Sequence, residues 1–294
     1  MKQIDINDVK EINEFIDALS KDKTIDLSNF KEKLKSLKVY YCSIREMIKI
    51  SSDLCFADAC YNYAYNQINY TDISINFRSL YHELFHMAST VIEDNTIFNG
   101  YLEETVENLE SFKTISERGR GLNEGYTELL SERYFNSATQ YDLERLFVKQ
   151  LEKIVGAEFL KEHYFKSHGI DALIEKLSEY TNEEQALHLI ELLDVYNKLS
   201  RKNNKKELQN IWDEIVDNFI CIYLVKIKKE ISTPEEAIDK FSSFINCFTG
   251  FSLNKKGEVI VNLCDSLKKC SLKYNLGLQF EEEAKNSSGQ ILTI

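Results

Sequence analysis

A single proline and only ten glycines interrupt 294 residues. The closely spaced turns of an all-β chain are therefore missing, and long helices are expected. Long hydrophobic runs are absent too. The longest, such as Phe219 to Val225, fall far short of the roughly 20 residues needed to cross a bilayer. The first residues, MKQIDINDVKEINEF, have neither the apolar stretch nor the small-residue cleavage site of a secretory leader. The seven cysteines, at 42, 55, 60, 221, 247, 264 and 270, form no CxxC pair. That argues against a cysteine zinc site and for free thiols in a reducing, cytoplasmic setting. Basic charge is scarce: 36 Lys and Arg stand against 48 Asp and Glu, for a net charge of −12. Nucleic acids and anionic membranes select basic surfaces, so neither is expected as a partner.

The apolar share of 43% and the charged share of 29% suit a globular chain with one large core or two lobes. Val9, Ile12, Phe15, Ile16 and Leu19 share a helical face, so a helix is expected over 7–20. A second is expected from Ser28 to about Leu37, then a strand at Val39 to Tyr41. Ile73, Ile75 and Phe77 alternate as in a half-buried strand. From Arg78 the pattern turns helical. Residues 91–120 are mixed and acidic, with Asn99-Gly100 marking a turn and Gly119 to Gly121 a break. A further helix is expected from Leu122 to about Tyr134.

After Ser137 helix follows helix. Thr181 and Glu184 have the spacing of a capping box, and Ser232 or Thr233 before Pro234 starts another helix. Val259 to Leu263 is a candidate strand. The expected fold class is α+β, predominantly helical, with an α+β lobe over 1–136 and a mainly helical lobe over 137–294.

The chemistry lies in two short motifs. Residues 82–86 read His-Glu-Leu-Phe-His. Two histidines at i and i+4 sit one above the other on a helix, so both imidazoles can reach one ion. Glu83 lies beside them without being a ligand, where it can take a proton from metal-bound water. The second motif is Asn123-Glu124-Gly125-Tyr126-Thr127-Glu128, with two carboxylates on one helix face. A catalytic zinc site takes three protein ligands and keeps one position open. Glu124 can be the third ligand, and Glu128 can accept the free ring N–H of a liganding histidine. Spacing alone lets either glutamate reach the metal.

HExxH followed by NExxxE resembles the gluzincin zinc peptidases, the thermolysin and M1-type aminopeptidase group. The resemblance covers about residues 73–135. It implies a zincin-like lobe with a small sheet and two motif helices, followed by a helical lobe. It also implies zinc bound by His82, His86 and Glu124, with Glu83 as general base and Glu128 orienting His82. Two features depart from the pattern. The gap from His86 to Glu124 is 38 residues, about twice the usual, and requires an insertion folded within 91–120. No GxMEN-type exopeptidase motif precedes the histidines.

The expected activity is zinc-dependent hydrolysis of peptide bonds in a peptide or protein substrate, with the strand at 72–77 at the cleft edge pairing with substrate. His163, His168, Tyr126 and Tyr134 are candidate second donors to the oxyanion. Two other readings are a repressor-cleaving regulatory peptidase with HExxH and a distant acid, and a non-catalytic module that keeps the zinc scaffold for binding.

Overall fold

The computed structural model describes residues 1–50, 58–73, 78–137, 141–200 and 205–230, with short stretches between 236 and 293. The fold is α+β. Its contacts divide the chain into one unit of residues 1–149 and 156–173, and another of 150–155 and 174–294. Among the described residues no helix is long and apolar enough to cross a membrane. Cys42 and Cys60 are free thiols, whereas Cys221 is disulfide-bonded, so the expectation of free thiols throughout fails at that residue.

The first unit carries two four-stranded sheets. One has β1 (Lys2–Ile4), β2 (Lys38–Tyr41), β4 (Gln67–Tyr70) and β3 (Ala59–Asn62) in the order β1-β2-β4-β3. Only β2 and β4 run parallel, and β3 is an edge strand. Helices α1 (Lys10–Leu19) and α2 (Ser28–Leu34) lie between β1 and β2 in sequence. They bear out the first two expected helices, although the second is shorter. A short helix, α3 (Ile44–Ile50), follows β2. Of the strand expected at 72–77, Asp72 and Ile73 are helical, and residues 74–77 lie outside the described residues. The candidates at Ser232–Pro234 and Val259–Leu263 lie outside them as well.

Next come the first motif helix, α4 (Ser79–Ser89), and the second sheet, an antiparallel meander. Its strands are β5 (Thr90–Glu93), β6 (Thr96–Asn99), β7 (Leu102–Val106) and β8 (Thr114–Arg118). The meander fills the long gap between the two motifs. Helix α5 (Arg120–Phe135) carries the second motif. Helices α6 (Asp142–Val155), α7 (Ala157–Tyr164) and α8 (Gly169–Ser178) follow.

The two motif helices are fixed by an aromatic core. Phe15 of α1 is fully buried, with ring centroids 5.0 Å from Phe30, 4.8 Å from Phe85 and 5.7 Å from Phe135. Phe85 lies between the two histidines of α4 in sequence, and Phe135 closes α5. One cluster therefore sets both helices, and truncating a ring in such a place costs about 3–5 kcal/mol. The last carbonyls of α4, which lack partners within the helix, are held by α2. Asn29 Nδ2 donates to Thr90 O at 2.7 Å. The Lys33 ammonium donates to Met87 O at 2.9 Å and also to Thr90 O.

In the second unit, α9 (Glu183–Ser200) and α10 (Lys205–Glu230) form a helical pair. Leu189, Leu193 and Tyr196 of α9 are buried, as are Ile215, Phe219 and Ile222 of α10. The N-terminus of α9 is capped by Asn182, whose Oδ1 accepts from Gln185 N at 2.9 Å. The expected capping box from Thr181 is not used: its hydroxyl turns to the Gln185 side chain instead.

Gly100, in the turn between β6 and β7, has φ +59, and a Cβ there would lie 2.4 Å from both Asn123 Oδ1 and a Tyr164 ring carbon. Both the left-handed backbone and the contact exclude a side chain. Gly100→Ala is expected to cost about 2 kcal/mol or more, lowering the melting temperature by about 4–8 °C for a unit of this size. Thermal unfolding checks this.

Candidate metal centre

Helix α4 is buried on almost every face, and Glu83 is the exception at half-buried. Its apolar residues seal it in, which brings His82 and His86 inside with them. The rings stand 4.7 Å apart at 73°, with their Nε2 atoms 2.9 Å from each other. Helix α5 crosses alongside and delivers Glu124, whose Oε2 lies 3.2 Å from His82 Nε2 and 3.5 Å from His86 Nε2. These three residues form a buried group that can hold a metal ion.

The remaining ring nitrogens are spoken for. His82 Nδ1 lies 3.0 Å from Glu128 Oε2. His86 Nδ1 lies 3.0 Å from Asn99 Oδ1. Glu128 is an acceptor, and beside His86 Nδ1 the acceptor Asn99 Oδ1 is nearer than the Asn123 Nδ2 donor at 3.3 Å. With the hydrogen on each Nδ1, each Nε2 presents a lone pair. Two lone pairs and a carboxylate oxygen then converge on one point inside the protein. A tetrahedral ion with bonds of about 2.0–2.1 Å has ligand–ligand edges of about 3.3 Å. The observed 2.9, 3.2 and 3.5 Å bracket that value, so the donor set fits a metal in size as well as in chemistry.

Burial opposes ionisation of His82, but hydrogen bonds to Glu124 and Glu128 outweigh it and hold the imidazole well above its usual range. Burial by itself would raise Glu124, and the two histidines reverse that and hold its carboxyl well below the usual range.

Asn99 enters through strand register. It is paired with Thr90 across β5 and β6, and Thr90 follows α4 directly, one turn beyond His86. Its Oδ1 also accepts from Ser89 Oγ at 3.2 Å and from Asn123 Nδ2 at 3.4 Å. Asn123 is itself held, because its Oδ1 accepts from Tyr101 N at 3.0 Å. Gly100 makes that last bond possible by leaving room for the Asn123 amide. The i, i+3 and i+4 patterns of the sequence show none of this, because Asn99 reaches His86 only through a hairpin.

Other sequence candidates lie elsewhere. Tyr134 gives its hydroxyl to Asp22 at 2.7 Å. His168 is exposed and faces Glu93 at 3.3 Å and Asp171 at 3.5 Å. His163 packs its ring against Phe159, and burial lowers its pKa below the usual value. Tyr126 is fully buried between the rings of Tyr101 and Tyr164. An aromatic ring that stacks on His82 is Tyr141, near-parallel at 5.6 Å and 20°. No motif spacing announces it.

Two outcomes follow for metal affinity, measured by competition with a chromogenic chelator. Asn99→Leu should weaken binding by about 10–100-fold, the usual cost of losing a hydrogen-bond partner to a liganding histidine. Glu124→Ala should abolish tight binding, while Glu128→Ala should weaken it by only about 10–100-fold. The reverse order for the two glutamates would show that Glu128 is the ligand.

Compared with known proteins, the chain matches no family model, no curated protein and no solved structure.

Proposed function

We propose that this chain is a zinc-dependent metallopeptidase with a zincin-like first unit. The observation that carries this reading is the buried His82, His86 and Glu124 group with the half-buried Glu83 carboxylate on the same helix. A structural zinc is closed by four protein ligands, whereas three ligands and a neighbouring acid–base group suit hydrolysis. Two imidazoles and one carboxylate favour zinc over magnesium or calcium, which take oxygen ligands. Zinc bound there supplies Lewis acidity and an activated water.

The protein residues do the rest. Glu83 accepts the proton of that water and returns it to the leaving amine. Glu128 and Asn99 fix the two imidazoles so that their Nε2 atoms face the ion. The β-addition edge expected at 72–77 finds its counterpart in β3, the edge strand that packs against α4. A peptide or protein main chain lying along β3 reaches Glu83, which accepts a hydrogen bond from the Tyr61 N–H of that strand. A cytoplasmic setting was expected from scattered free thiols, and the disulfide at Cys221 weakens that ground.

The test is a cleavage assay on a peptide library with zinc-loaded protein. Wild type should cut, and Glu83→Gln should keep its zinc and lose activity by at least about a hundredfold. Zinc-loaded wild type that cleaves nothing would leave the non-catalytic binding module as the better account.

A further inference from the structure

Glu83 is not left to find its own orientation. Its Oε2 accepts the main-chain N–H of Tyr61 at 2.7 Å, which ties the carboxylate to β3. Tyr61 is paired with Ile68 of β4 in an antiparallel ladder. In such a ladder a residue directs both its N–H and its C=O either toward its partner strand or away from it. Because the Tyr61 N–H reaches Glu83 on α4, this residue faces away, onto the free edge of the sheet. Cys60 and Asn62 then turn inward to Asn69 and Gln67. Ala59 and Tyr61 thus both face the free edge of β3, and the amide hydrogen at 61 goes to the acid–base residue itself.

A carboxylate has two oxygens, and holding one by a fixed main-chain donor leaves the other with a defined direction. Side-chain donors swing, but this donor is part of a strand whose register is set by four cross-strand pairs. The neighbourhood agrees. Cys60, next in the strand, is pushed up to about 12, first by burial and then by the charge of Glu83. The carboxylate thus lies close along the strand and is not extended into solvent.

We infer that the Tyr61 main-chain amide is a positioning group for Glu83, fixing one carboxylate oxygen so that the other meets the reacting water. The inference rests on the metallopeptidase reading. It adds a cost for substrate: a peptide pairing with β3 finds the Tyr61 N–H taken and has only the Tyr61 carbonyl to bond at that residue. The substrate main chain is thus held at residue 61 by an acceptor alone, with its own N–H donating.

Two measurements on the full-length zinc-loaded protein test this. The first is residue-resolved amide hydrogen exchange, independent of activity. Glu83→Ala should speed exchange at Tyr61 by at least about tenfold and leave Cys60 and Asn62, bonded to β4, unchanged. Equal rates at Tyr61 in both proteins would overturn the tether.

The second replaces the Tyr61 residue with its α-hydroxy acid by nonsense suppression. That swap turns the N–H into an ester oxygen and keeps side chain and strand. Zinc content should stay at the wild-type level, kcat should fall at least about tenfold, and KM should move less than threefold. Tyr61→Pro, tolerated at an edge position whose N–H faces outward, also removes the N–H by ordinary mutagenesis, with Tyr61→Ala as the control for the lost side chain, which donates to Asn66 Oδ1 at 3.2 Å. An unchanged kcat at full zinc content, in either variant, would overturn the positioning role. Failure of the metallopeptidase reading looks different, as wild type would cleave nothing while the exchange result at Tyr61 still stood.

Discussion

Two imidazole nitrogens held 2.9 Å apart in a buried pocket, each on a ring whose other nitrogen already donates, create an electrostatic demand. A cation between them answers it, since unscreened lone pairs in a low-dielectric interior repel. Glu124 adds a negative charge beside them, and Glu128 and Asn99 favour the tautomers that carry the hydrogen on Nδ1. Much else in the first unit can be understood as serving this arrangement. The Phe15 cluster sets the two helices, and α2 ties down the end of α4. The close approach of α6 is licensed by Gly125, where a Cβ would lie 2.5 Å from the Glu144 carbonyl. Glu83, half-buried, is the one polar side chain of the motif helix that is not fully buried, and it is held by β3.

The parts of this that can be read in the sequence are those governed by helical periodicity. His82 with His86, and Glu124 with Glu128, are one-turn pairs, and a turn of helix is rigid enough to make spacing into geometry. What spacing cannot do is choose between the two glutamates, since that depends on how α5 crosses α4. The first helices and β2 were legible for the same reason, as Val9, Ile12, Phe15 and Leu19 are indeed the buried face.

The meander was not legible as strands. Its inner face on β7 reads Leu102, Glu104, Val106, and the central glutamate spoils the apolar alternation. Glu104 is nonetheless buried, because Tyr63 donates to it at 2.6 Å and Thr114 does so as well. A polar residue with fixed partners thus looks like a surface residue in one dimension. At the strand expected over 72–77, alternating isoleucines were read as a sheet face; Ile73 is helical, and residues 74–77 lie outside the described residues. Asn99 and Tyr141 belong to a third kind, residues brought to the site by register and chain reversal, for which local sequence carries no signal.

The meander also changes what kind of insertion this is. Extra segments between motif helices are ordinarily decoration, free to lengthen, shorten or vanish as a lineage drifts. Here β5 and β6 contribute Asn99 to His86, so that first hairpin belongs to the buried His–His–Glu group as much as the helices do. Length variation should therefore be confined to the far tip, around residues 107–113, where Leu109 stands exposed and the nearby hydrogen bonds are largely local. Among relatives of this chain, the spacing between motifs should vary while the distance from His86 to the asparagine stays fixed at 13 residues. That fixed interval is a better signature of descent than the gap that first made the chain look atypical.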